Sequence, residues 1–127
     1  MAKFKLTTEH LYWWPVTVFL PNPDAKRAGE VISQSFKMQF LSMSLDDARA
    51  MAAEIAALPA EERDRRQHEE LERVSRDWNE DVVDDDNLPI PFSLEKLRAA
   101  MQAPWFRIGL YQAYVKSLSG EAARKGN

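Results

Sequence analysis

A chain of 127 residues with 45% apolar and 29% charged side chains has the make-up of one ordinary globular domain, long enough to bury a core. It contains no cysteine, which excludes a disulfide framework and thiolate chemistry, and no apolar run near the roughly 20 residues that a bilayer span requires. The net charge of −3 is unevenly spread: residues 61–86 carry twelve acids against five arginines, residues 87–127 carry six basic groups against two acids, and the first sixty balance. A general nucleic-acid binder would present a basic face with interleaved aromatics. Opposed acidic and basic stretches instead permit head-to-tail contact between copies.

The amino terminus has no apolar signal-peptide core, so secretion is not expected. Along residues 14–20, Val16, Val18 and Leu20 fall on one face of a strand and Thr17 and Phe19 on the other. Pro15 cannot donate to a ladder, which places this strand at a sheet edge or makes Pro15 its start. Trp13 and Trp14 are adjacent and point opposite ways in extended chain, either as an exposed pair or with one packed and one on the surface. A turn-rich link over residues 21–29 leads to residues 30–41, where Ile32, Phe36, Met38 and Phe40 share one face and Gln34 alone interrupts it. The two runs predict an antiparallel β-hairpin with a long loop, covered on one side.

The remainder predicts four helices, over about residues 44–58, 60–80, 93–103 and 104–118. Ser44 caps the first, with Asp46 and Asp47 in its opening turn. Leu45, Ala48, Met51, Ala52, Ile55 and Leu58 form its stripe. The second begins at Pro59-Ala60 as an exposed charged arm, with Glu61–Arg65, Glu62–Arg66, Glu69–Arg73 and Glu72–Arg76 all acid-before-base at i,i+4. Leu71, Val74 and Trp78 then turn its far end to the core. Ser93 caps a short helix carrying Leu94, Leu97 and Met101, and Pro104 separates it from the last. There Trp105, Ile108, Tyr111, Val115 and Leu118 line one side, while Phe106, Leu110 and Tyr114 cover a second. That is more apolar surface than one stripe needs. The fold class is therefore α+β, one domain over residues 1–120, with a polar, mobile tail at residues 121–127.

The search for chemistry returns little. His10 and His68 are the only histidines, and neither has a nucleophile partner at an elbow. With four glycines, a phosphate-cradling loop is not expected. Asp81, Asp84, Asp85, Asp86 and Asn87 cluster, but the spacing lacks the sharp-turn glycine and the terminal bidentate Glu of a calcium loop. No catalytic residue, metal site or cofactor is expected.

The order of parts is more telling. A proline-flanked strand (Pro15 to Pro21) leads to an alternating strand with Phe36 and Phe40, then to the Ser44-Leu-Asp-Asp47 helix start. Trp78, an acidic run, Pro91-Phe92-Ser93 opening a helix, and Ala113-Tyr114 in the final helix follow. This order resembles the tail assembly chaperones of long-tailed bacteriophages and prophages, over roughly residues 14–127. The resemblance implies a small protein of the host bacterial cytoplasm, absent from the mature virion, that binds the tape-measure protein. It would keep that long, largely helical chain soluble while tail-tube subunits polymerise, with the tail-tube protein as a further contact. It implies no enzyme activity, no cofactor, and no nucleic-acid or membrane partner. Trp105, Phe106, Leu110 and Tyr114 are the expected partner-binding residues, partly exposed, with burial of all four as the alternative. Glu61, Glu62, Arg65 and Arg66 are the expected contact between copies in a homo-oligomer. The rival function is a structural virion protein, such as a tail-completion or head–tail connector component.

Overall fold

The computed structural model describes residues 2–6 and 9–119, so the tail expected at residues 121–127 lies outside the described residues. The elements run β1 (Leu11–Pro21), a 3-10 turn at Ala25–Arg27, β2 (Val31–Leu41), α1 (Leu45–Ala57), α2 (Ala60–Val74), β3 (Ser75–Trp78), α3 (Leu94–Ala100) and α4 (Pro104–Ser119). The fold is α+β: a three-stranded antiparallel sheet, ordered β1-β2-β3, with four helices.

The expected hairpin is present and longer at its start. Leu11, Tyr12 and Trp13 continue the alternation and pair with Leu41, Phe40 and Gln39, as aromatic residues favour on a pleated surface. Val16, Val18, Phe36, Met38 and Phe40 are buried, whereas Thr17, Phe19, Ser33 and Ser35 are exposed. Trp14 packs against the core and Trp13 faces out, 45% exposed. The 3-10 turn sits in the hairpin loop, where Gly29 takes a φ of 88°, a conformation that suits glycine.

The second helix is shorter than its sequence predicts. The expected helix over residues 60–80 ends at Val74, and Ser75–Trp78 forms β3 instead. The register shifts between Gln39 and Phe40, so that Arg76 is the extra residue of a bulge. Ser75 and Trp78 are consequently both buried, three positions apart. That spacing is also the spacing of a helix face, which is why the pattern alone misleads. Pairing with β2 prevails over the weak helical preference of Ser-Arg-Asp-Trp.

One buried cluster joins these elements. α1 contributes Met51 and Ile55, capped by the Ser44 hydroxyl, which accepts from the Asp47 N–H at 3.1 Å. Leu45 at its start is exposed. Leu97 and Met101 come from α3 and the turn after it, and Leu110, Ala113 and Tyr114 from α4. Tyr114 meets Phe40 with ring centroids 5.2 Å apart. α4 also lies close on β1: a Cβ added at Gly109 would stand 2.7 Å from the Thr17 carbonyl oxygen. Only glycine permits that approach.

Candidate functional site

The block from Trp78 to the start of α4 surrounds an apolar groove of about 540 Å³. Val18, Leu20 and Phe36 form its floor on the sheet; Trp78, Val82 and Ile90 form one wall. The opposite wall carries Ala99, Ala100 and Ala103, whose small side chains leave the space, and Trp105 and Phe106 close the end. The volume is that of a site for a small molecule or a few side chains. Trp78 is fixed by its indole N–H, which donates to the Ile90 carbonyl at 2.6 Å, and by Phe92, edge-on at 5.1 Å. Phe106 stacks on Phe36 at 5.6 Å.

Polar groups at the groove are few. Gln34, Asp81 and Lys96 reach it. The acidic run follows as an ordered turn: the Asp84 carboxylate accepts from the N–H groups of Asp86 and Leu88, Val83 bridges Pro89, and Asn87 adopts a φ of 60°. Asparagine tolerates that left-handed conformation. Among the described residues no group of three or more acidic or histidine side chains converges as a cation site.

A strand edge also opens on the groove. Ser42 N–H donates to the His10 carbonyl and Asn22 N–H to the Glu30 carbonyl, so even-numbered positions of β1 and β2 bond to each other. Odd-numbered β2 residues therefore face the β3 side. Lys37 does so fully: its carbonyl accepts from Asn79 N–H, and its own N–H donates to the Asn79 side-chain oxygen at 3.0 Å. Beyond Asn79 the chain turns away. Val31, Ser33 and Ser35 keep main-chain groups on that side with no partner among the described residues. The groove thus lies beside an unfilled lane that continues the line of β3.

The four residues expected to bind a partner are divided by the structure. Leu110 and Tyr114 are fully buried, so their expected partial exposure is corrected: they face the sheet and hold α4 to it. Phe106 is half-buried at the groove end, and Trp105 is 42% exposed at its rim. The excess apolar face of α4 exists, but on the other row, where Ile108 and Val115 are 52% and 42% exposed.

The arm expected to join copies is also revised. Glu61, Glu62 and Arg65 are exposed. Arg66 is engaged within the chain: it reaches Glu54 of α1 at 3.0 Å and Glu70 at 3.4 Å. None of the four expected i,i+4 ion pairs forms among the described residues. Arg73 turns to Glu70, and Glu72 takes Arg98 and His68 at 2.9 Å each. Glu70 is the residue the sequence reading missed. It is 1% exposed, and a buried carboxylate is tolerable because Arg66 and Arg73 both pair with it. Its spacing from each arginine was readable, but its burial comes from tertiary packing, with Met51 and Glu54 of α1 and Tyr114 of α4 near it. Burial, then the nearby Glu70 carboxylate, pushes the Tyr114 hydroxyl pKa well up; that hydroxyl has no hydrogen-bond partner among the described residues. These groups form the seam at which α1, α2 and α4 meet.

No helix among the described residues is long and apolar enough to cross a membrane. No protein-family model, curated protein or solved structure matches the chain.

Proposed function

We propose that this protein is a tail assembly chaperone that binds an apolar, largely helical segment of a phage tape-measure protein and keeps it soluble until tail-tube subunits enclose it. The observation that carries this reading is the solvent row of α4. Trp105, Ile108 and Val115 stand out along a helix whose opposite side already fills the core. An apolar helix face left over after folding suits packing against another helix, and covering such surface is what prevents aggregation of a long client. Trp105 joins this row to the groove rim, giving an aromatic anchor of the kind that dominates binding energy. The order of motifs along the sequence supplies the identity of the client. In this reading the protein works in the host cytoplasm and leaves before the particle is complete.

Co-expression with a tape-measure fragment tests it. The fragment should be markedly more soluble with the native chain than alone, and Trp105→Asp with Ile108→Asp should remove that gain while the circular-dichroism spectrum of the chaperone stays unchanged. A fragment equally soluble with and without the native chain would refute the reading. Mass spectrometry of purified particles addresses the rival structural role, since abundance there belongs to a virion component.

A further inference from the structure

The unfilled lane beside β2 has a matching strand in the same sequence. Residues 2–6 read Ala-Lys-Phe-Lys-Leu, apolar and basic in alternation. Phe4 and Leu6 are 88% and 92% exposed, so this segment packs on nothing in its own chain. In extended form Phe4 and Leu6 share one face and Lys3 and Lys5 the other. The lane asks for that pattern. Its inner face is the apolar groove, it is bounded by the main-chain groups of Val31, Ser33 and Ser35, and its other face is the solvent side of the sheet, where the Ser33 and Ser35 side chains are exposed.

We propose that residues 2–6 of a second copy add to the sheet as a strand beside β2, with Phe4 and Leu6 in the groove and Lys3 and Lys5 on the solvent face. This is β-strand addition: main-chain hydrogen bonds give affinity and alternate side chains give specificity. The donor cannot be the same molecule. Placing Phe4 and Leu6 beside Gln34 and Ile32 sets one of them level with Leu20, the partner of Ile32. That place is about 30 Å along β1 from Leu11 and two strand spacings across, about 31 Å in all. Phe4 and Leu11 are seven residue steps apart, and fully extended these reach only about 25 Å. Donor and acceptor surfaces differ, so the contact is heterologous and repeats from copy to copy. It meets the α4 row only at Trp105 on the groove rim, and Ile108 and Val115 take no part in it.

Sedimentation velocity of the full chain over a concentration series at low salt tests this. The native chain should self-associate, and Phe4→Asp with Leu6→Asp should weaken association by more than ~10-fold, as loss of anchor side chains does. Lys3→Glu with Lys5→Glu, on the solvent face of the added strand, should change it by less than ~3-fold. All these side chains are exposed and none has a fold contact, so folding is not at stake. A native chain that stays monomeric, association indifferent to the Phe4 and Leu6 changes, or lysine changes that weaken it as much as the Phe4 and Leu6 changes would overturn the proposal.

Discussion

The two halves of β2 make opposite use of one strand. From Lys37 to Phe40 it is paired on both sides, by β1 and by β3 with Asn79, and its inner residues Met38 and Phe40 are fully buried, Phe40 against Tyr114 of α4. From Val31 to Ser35 it is paired, among the described residues, only with β1, its inner residues Ile32 and Gln34 are less covered, and the space a third strand would take opens on the groove. Local sequence does not separate the halves strongly, because both alternate. The difference comes from where another part of the chain stops. β3 is four residues long, and Asn79 ends it by supplying both a backbone donor and a side-chain acceptor to Lys37. A fold acquires a site here by leaving a sheet unfinished.

If the closed half holds the fold and the open half does not, substitutions in the closed half should cost far more. Tyr114→Ala removes a ring buried against Phe40 and should destabilise by about 3–5 kcal/mol, read by urea denaturation. Tyr114→Phe removes only a buried hydroxyl that has no partner, and should be neutral or stabilising by up to ~1 kcal/mol. A large loss in the phenylalanine variant would show that the hydroxyl is bonded after all.

Gly109→Ala is the next largest effect. Alanine favours helix by about 1 kcal/mol over glycine, yet its Cβ would meet the Thr17 carbonyl at 2.7 Å, a backbone atom with little freedom to move. A net loss of about 1–3 kcal/mol is expected, measured by the thermal midpoint. A gain would mean that α4 lifts from β1 without penalty.

The smallest effect lies in the seam between α1 and α2. The hydrogen bond and charge of Arg66 hold the Glu54 carboxyl below the usual carboxylate range. Its stabilising contribution is therefore complete above the pKa of an unfolded glutamate and is lost as pH falls through the lower folded value. Glu54 is exposed, so the effect is small. Glu54→Gln should flatten only the acid end of the stability profile, and an unchanged profile there would show that the pair contributes nothing.

The strands and the Ser44 and Ser93 caps were legible because period-two patterning and capping are local. β3 was not, because its bulge gives Ser75 and Trp78 a helix-like spacing. The ion pairs failed for a related reason. Arg66 prefers Glu54, twelve residues away, and Glu72 takes Arg98, twenty-six away, so tertiary partners displaced two of the i,i+4 pairs that spacing suggests, while Arg73 turned to the nearer Glu70. On α4 two apolar rows were visible, and nothing in the sequence said which row the sheet would take. Gly109 was the available signal: it marks a close approach to another backbone, and Leu110 and Ala113 lie beside it on the core side. The groove was beyond sequence reading, since its lining comes from segments as far apart as Val18 and Phe106.

Pro15 acquires a wider meaning from the register. It is an odd-numbered position of β1, so the N–H it lacks would have pointed away from β2, and the same holds for Pro21. Between them α4 presses on the Thr17 carbonyl. The outer margin of β1 is thereby sealed against further strands, while the β3 side is left open. The sheet has a growing side and a finished side, which gives any chain of copies built through it a fixed polarity, with a first member and a last.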